Sequence, residues 1–222
     1  MKNLFYSVTK PALLLSIAAF TFASQAQESA ADKAPLPFYK SAEFTPYWLV
    51  PNSDEAHNFH RVSDFSFTNQ AGETVTNATF EDKVYVANFF FTTCPGICPK
   101  MRSSIFKVQD HFEDNEQVGI ISYSIQPETD TVEVLKKYAE EHNIIDGKWH
   151  LVTGDRDDIY QLAREDYFAN EDMGEYMENE DFLHTENLLL IDKNRHIRGV
   201  YNGLNKTSIQ HLWNDINVLL KE

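Results

Sequence analysis

The stretch Val84-Tyr85-Val86-Ala87-Asn88-Phe89-Phe90-Phe91-Thr92-Thr93-Cys94-Pro95-Gly96-Ile97-Cys98-Pro99-Lys100-Met101 decides how this chain is read. Its first eight residues are almost wholly apolar and rich in β-branched and aromatic types, as a central strand covered on both faces should be. Cys94 and Cys98 follow at once. From Met101 to Phe112, Ile105, Val108 and Phe112 recur at helical intervals. Two soft sulfur donors are thus set at the end of a buried strand, at i and i+4, a spacing that turns both the same way on a helix. Pro95 suits a first helical turn. This predicts Cys94 at the helix start, where free N–H groups and the macrodipole favour a thiolate.

Outward from this loop, strands and helices alternate. Phe65-Ser66-Phe67 and Thr74-Val75-Thr76 flank Gln70-Ala71-Gly72-Glu73 as a hairpin. Val118 to Ile125 reads as a second buried strand, Thr131 to Glu141 as a helix, and Trp149 to Thr153 as a short strand. Asp155 caps a helix running to about Arg164, with Asp157 and Asp158 as charge in its first turn. Glu186 to Asp192 and His196 to Tyr201 form a hairpin turning at Lys193-Asn194, and Ser208 to Lys221 closes the chain as an amphipathic helix. The expected fold is α/β and thioredoxin-like, a mixed central sheet with helices on both faces and an N-terminal hairpin added. Asp166 to Asp181, rich in Glu, Asp, Tyr and Met, reads as an acidic surface insertion.

Residues 1–26 read as a signal peptide: Lys2 and Lys10, an apolar core from Ala12 to Ala23, and small residues at Ser24-Gln25-Ala26. This predicts a periplasmic or other extracytoplasmic location, with membrane attachment only through an uncleaved leader. Residues 27–56 form a loose lead-in in which Phe38, Phe44, Tyr47 and Trp48 are candidate pins, and 57–222 form the domain. A net charge of −15 argues against nucleic acid as a partner, because phosphate binding needs a basic face.

Export changes the meaning of the cysteines. In an oxidising compartment a lone pair is usually a staple, but a staple gains by closing a long loop, and this pair closes almost nothing. A redox or metal role explains it better. The pair can close into a disulfide or clasp one soft ion. Two thiolates leave a monovalent copper ion exposed, and a third donor, usually an imidazole, would complete a trigonal site. Of the eight histidines, His184 stands just before the apolar strand Leu188-Leu189-Leu190-Ile191. In a thioredoxin-like sheet the loop entering that strand lies beside the cysteine loop, so His184 is the candidate third ligand; the plain alternative is a surface histidine. Met173 and Met177 in the acidic segment could hold copper transiently, though such methionines are more commonly packing residues.

The cysteine loop with Pro99-Lys100-Met101, the segment Ser122-Tyr123-Ser124-Ile125-Gln126-Pro127-Glu128-Thr129-Asp130-Thr131, Leu183-His184-Thr185 before a strand, and Ile191-Asp192-Lys193-Asn194-Arg195 with Gly199, Tyr201 and Gly203 together resemble the Sco/SenC family of copper proteins. The resemblance covers roughly residues 57 to 222. It implies a thioredoxin-like copper-binding domain with Cys94, Cys98 and His184 as ligands for Cu(I), with Cu(II) as a second state. It also implies a metallochaperone rather than an enzyme: a protein that delivers copper to the dinuclear copper centre of cytochrome c oxidase, or keeps that centre's thiols reduced. The implied partner is a copper-accepting oxidase subunit or another copper or thiol protein. Two positions depart from the family pattern: Gln126 and Gly96 stand where an acid is common.

The rival reading is a thiol–disulfide oxidoreductase or redox sensor that uses Cys94 and Cys98 without copper. Dedicated oxidoreductases usually space their sulfurs C-x-x-C; the extra residue here loosens the disulfide geometry and suits a metal. A thiol peroxidase would place Thr where Phe91 stands.

Overall fold

The computed structural model describes Met1, residues 35–169 and residues 185–222. The chain divides into two compact units, Met1–Lys33 and Ala34–Glu222, and every element below belongs to the second. The leader and most of the acidic segment lie outside the described residues. In chain order the elements are α1 (Asp54–His57), β1 (Ser66–Asn69), β2 (Thr74–Thr76), β3 (Val84–Phe90), α2 (Cys98–His111), β4 (Val118–Ser124), α3 (Val132–Glu141), β5 (Trp149–Thr153), α4 (Arg156–Gln161), β6 (Asn187–Ile191), β7 (Ile197–Asn202) and α5 (Lys206–Leu219).

One mixed seven-stranded sheet runs β2-β1-β5-β4-β3-β6-β7. The strand pairs β3–β4 and β4–β5 are parallel, and every other pair is antiparallel. The hairpin β1–β2 is the N-terminal addition, docked on the outer side of β5. The units β3-α2-β4 and β4-α3-β5 step across the sheet in one direction, so right-handed crossovers place α2 and α3 on the same face. Contacts agree: Arg102 on α2 donates to the Tyr138 hydroxyl on α3 at 2.8 Å, and Phe90 on β3 lies against Tyr138.

The opposite face carries Tyr85 and Phe89 of β3 and Tyr123 of β4. A π-helical turn, Leu162–Asp166, extends α4 across it and delivers Tyr167. The Tyr123 and Tyr167 hydroxyls lie 3.0 Å apart, and Tyr85 joins them at 3.4 Å. These buried hydroxyls satisfy one another inside an aromatic layer, as buried polar groups must. Helices therefore cover both faces, and the fold is the thioredoxin-like one.

Two local expectations need correcting. Asp166 and Tyr167 were assigned to a surface insertion, yet both are buried. The Asp166 carboxylate accepts the Ser63 N–H at 2.8 Å, so the first residues of the acidic stretch are anchored to the domain. In the lead-in, Phe38 is buried and pairs antiparallel with Tyr47, whereas Trp48 is 65% exposed and pins nothing.

Candidate metal centre

The sulfurs sit where β3 ends. All seven residues of β3 are buried, and the chain leaves the sheet at Phe91. Helix α2 begins at Cys98, not at Cys94, and the proline of its first turn is Pro99 rather than Pro95. The loop Thr92–Ile97 lies between strand and helix. This differs from the expected arrangement for a physical reason. The Cys94 N–H is already spent on the Phe91 carbonyl at 3.3 Å in a tight turn, and the helical bonds start from Ile97, whose carbonyl accepts from Lys100 and Met101. Cys98 is thus the first helical residue. Cys94 faces the helix's N-terminal N–H groups from outside, which reaches the same electrostatic result.

Both cysteines are free and each is 8% exposed. The two thiols hydrogen-bond to each other, with unequal consequences. For Cys94, burial opposes ionisation, but the hydrogen bond from the Cys98 thiol and the backbone N–H groups of Cys98, Gly96 and Ile97 outweigh it and lower the pKa. For Cys98, burial, the bond to Cys94 and repulsion from its charge push the pKa up to about 12. The pair thus favours negative charge on Cys94 over Cys98, which stays a hydrogen-bond donor. A neutral alkylating agent such as iodoacetamide should therefore modify Cys94 at a pH below that of an ordinary thiol, and Cys98 only under strongly alkaline conditions. Peptide mapping by mass spectrometry across a pH series checks this, and equal labelling at every pH would overturn the assignment.

A buried carboxylate fixes the loop. Asp130, fully inaccessible, accepts from the Thr92 N–H at 3.1 Å, the Thr92 hydroxyl and the Ser124 hydroxyl. It thereby ties the exit of β3 to the exit of β4, two residues before Cys94. Gln126, which replaces an expected acid, receives the Thr93 hydroxyl at 3.5 Å. At Gly96 an added Cβ would meet no atom of the described residues within 4 Å.

His184 lies outside the described residues. What is described is the chain that follows it. Strand β6 runs antiparallel to β3, with Leu189 opposite Ala87 and Ile191 opposite Tyr85, so β6 enters the sheet at the end where β3 exits. A Cβ on Gly203 would stand 3.1 Å from the Glu186 carbonyl and 3.3 Å from Met101, which puts the approach to β6 beside the first turn of α2. Among the described residues, no group of three or more His, Cys, Asp or Glu side chains is arranged to hold a metal. Of the other histidines, His196 bonds the His60 carbonyl at 2.8 Å and His60 bonds the Asp166 carbonyl at 2.8 Å, both structural uses remote from the sulfurs in sequence.

Sequence reasoning did not single out Asp130, Arg102 or Tyr138. Asp130 precedes the Thr131 cap of α3 and reads locally as helix-start charge; only its burial and its bonds to Thr92 and Ser124 reveal that it points inward.

Comparison with known proteins gives a consistent result. The family model described as SCO1/SenC matches residues 53–221, about three quarters of the chain. The SCO1 protein homolog of Bacillus subtilis (strain 168) is 29% identical over 160 residues, covering 71% of this chain and 81% of that protein. Among solved structures, BsSco, a member of the Sco family of cytochrome c oxidase assembly proteins in which a disulfide switch was identified, superposes with a TM-score of 0.62. It is 27% identical, over 73% of this chain and 94% of its own. ScoI of Arabidopsis thaliana, solved with copper bound, gives a TM-score of 0.55 and 25% identity over 70% of this chain and 97% of its own.

Proposed function

The chain belongs to the SCO1/SenC family, and from that premise we propose that it binds one copper ion through Cys94, Cys98 and His184 and passes it to a copper-accepting subunit during cytochrome c oxidase assembly. The observation that carries this reading is the free, buried Cys94–Cys98 pair at the end of β3, held by hydrogen bonds rather than closed as a disulfide. Its donor chemistry fits a soft monovalent cation: two adjacent sulfurs, one already favoured as thiolate, with backbone N–H groups offsetting the charge. The approach of β6 to α2 supports His184 as the third ligand. The copper-bound ScoI structure supports the choice of metal.

Copper is the cargo, and the protein's part is to hold it in a site that can be emptied. Cys98, at the head of α2, is the rigid donor. Cys94, on the loop tied by Asp130, is the donor on the open side, where an acceptor's thiolates can approach past Gly96. The chain works outside the cytoplasm, delivered by its first 26 residues. No helix of the described residues is long and apolar enough to cross a membrane.

Anaerobic titration of the reduced full chain with Cu(I) tests the proposal. One equivalent should bind, and His184→Ala should weaken binding at least about 10-fold, the low end for disturbing even a supporting group. Equal affinity in His184→Ala would remove it from the ligand set. The alternative of thiol–disulfide exchange is favoured by the lowered pKa of Cys94, since an attacking thiol works best as thiolate near ambient pH. Rapid turnover of protein disulfides by the copper-free chain would promote that reading.

A further inference from the structure

A copper ion held by two thiolates and a neutral imidazole leaves one uncompensated negative charge, in a chain whose net charge is already −15. The loop from Thr92 to Lys100 contains no acid, and Asp130 behind it is engaged with Thr92 and Ser124. The side that faces Cys98 carries a cation. Arg102 follows Cys98 by one turn of α2, so the two side chains share a face. Both line one small cavity between α2, α3 and the sheet, together with Tyr138. The Arg102 guanidinium donates to the Tyr138 hydroxyl at 2.8 Å and lies 5.4 Å from the centre of its ring. A surface arginine is ordinarily free to swing into water; this one is pinned. The Tyr138 hydroxyl responds to the charges around it: burial raises its pKa, the Arg102 hydrogen bond and charge lower it, and Cys98 and Asp130 raise it again. It therefore lies within electrostatic range of guanidinium and sulfur alike.

We infer that Arg102, pinned by Tyr138, is the charge-compensating residue of the cysteine site, holding a positive field at the sulfurs that offsets the negative charge left on the loaded site. The inference deepens the copper reading and rests on it for its biological meaning, but the field itself is measurable without metal. Arg102 is a positioning residue: it acts on whatever the sulfurs hold and ligates nothing.

The test compares the reduced full chain with Arg102→Gln, Arg102→Lys and Tyr138→Phe. The copper-free readout is the ratio of thiol reaction rates with dithionitrobenzoate, a dianion, and dithiodipyridine, which is neutral; changes in thiol ionisation cancel in this ratio. The ratio should fall about 3–10-fold in Arg102→Gln at low salt, stay near the parent value in Arg102→Lys and drop part-way in Tyr138→Phe. The difference should vanish near 1 M salt, where charges are screened within about 3 Å. Cu(I) affinity, by competition with a chromophoric chelator, should fall about 10-fold in Arg102→Gln. An unchanged reagent ratio in Arg102→Gln, with thermal unfolding showing it folded, overturns the inference even if the parent binds copper. A lowered ratio in a chain that binds no copper keeps the inference and defeats the copper reading instead.

Discussion

Cys94→Ser and Cys98→Ser are each expected to lose Cu(I) affinity by more than about 100-fold, because alterations behind a ligand alone cost about 10–100-fold. The argument is one of softness and charge. A hydroxyl is nearly the shape of a thiol, so neither variant should leave a large void. Serine oxygen, however, is a hard donor that stays protonated at neutral pH and has little affinity for a monovalent soft ion. The two variants should differ in what they leave behind. Burial is the main cause that holds Cys98 up near 12; Cys94→Ser removes the added repulsion of the Cys94 charge, so Cys98 should ionise at somewhat lower pH. Cys98→Ser keeps a side-chain donor beside Cys94, and the backbone N–H groups of Gly96, Ile97 and residue 98 remain, so the Cys94 pKa should stay lowered. Chelator competition measures the affinity and thiol titration the asymmetry. Stoichiometric Cu(I) retained by either variant would show that the site lies elsewhere.

Arg198→Leu is expected to be the most destabilising change remote from the sulfurs, at about 3–5 kcal/mol, the usual cost of removing one partner from a buried ion pair. For a chain of this size that lowers Tm by about 6–20 °C. Arg198 is 2% exposed on β7 and every donor it has is used. Nη1 reaches Asp192 at 3.0 Å and Glu222 at 2.8 Å, Nη2 reaches the Leu36 carbonyl at 2.8 Å and Glu222 at 3.3 Å, and Nε reaches the Pro37 carbonyl at 3.2 Å. Its guanidinium also lies over the Phe38 ring at 3.9 Å. Leucine would fill part of the volume and strand Asp192, which also holds the β6–β7 turn through the N–H groups of Asn194 and His196. Arg198→Lys should recover little, because a point charge cannot serve four partners in one plane. Arg198 lies near the start of β7, at the end of the sheet away from the sulfurs. Copper affinity of the folded fraction should therefore be unchanged while urea unfolding shifts. A loss below about 1 kcal/mol would mean that the lead-in and the last residue are not held by this group.

The fold was largely legible because its central strands are monotone. Val84–Phe90 and Val118–Ser124 are buried at every position, so length and composition alone identify them. The cap of α4 was legible for a local reason: Asp155 accepts the N–H groups two and three residues ahead, and that chemistry lies within one window of sequence. The start of α2 was misplaced by four residues because two prolines, Pro95 and Pro99, both suit a first turn, and only the three-dimensional hydrogen bonds choose between them. Asp166 was misassigned because an acidic neighbourhood looks the same whether its first residue faces water or the Ser63 N–H, 103 positions away. The same limit hid Asp130 and the Arg102–Tyr138 contact, whose meaning comes from partners on other elements.

The pairing of Tyr39 with Ile197 has a consequence for the life of the molecule in a crowded compartment. Strand β7 would otherwise offer a ready row of amides and carbonyls to a second chain. The Tyr39 N–H, 3.1 Å from the Ile197 carbonyl, occupies part of that row from within. The opposite rim, Thr74–Thr76, is too short to template much. The segment before the domain thus serves as a built-in chaperone for one margin of the sheet, and trimming it for convenience would bare that margin to intermolecular β-pairing.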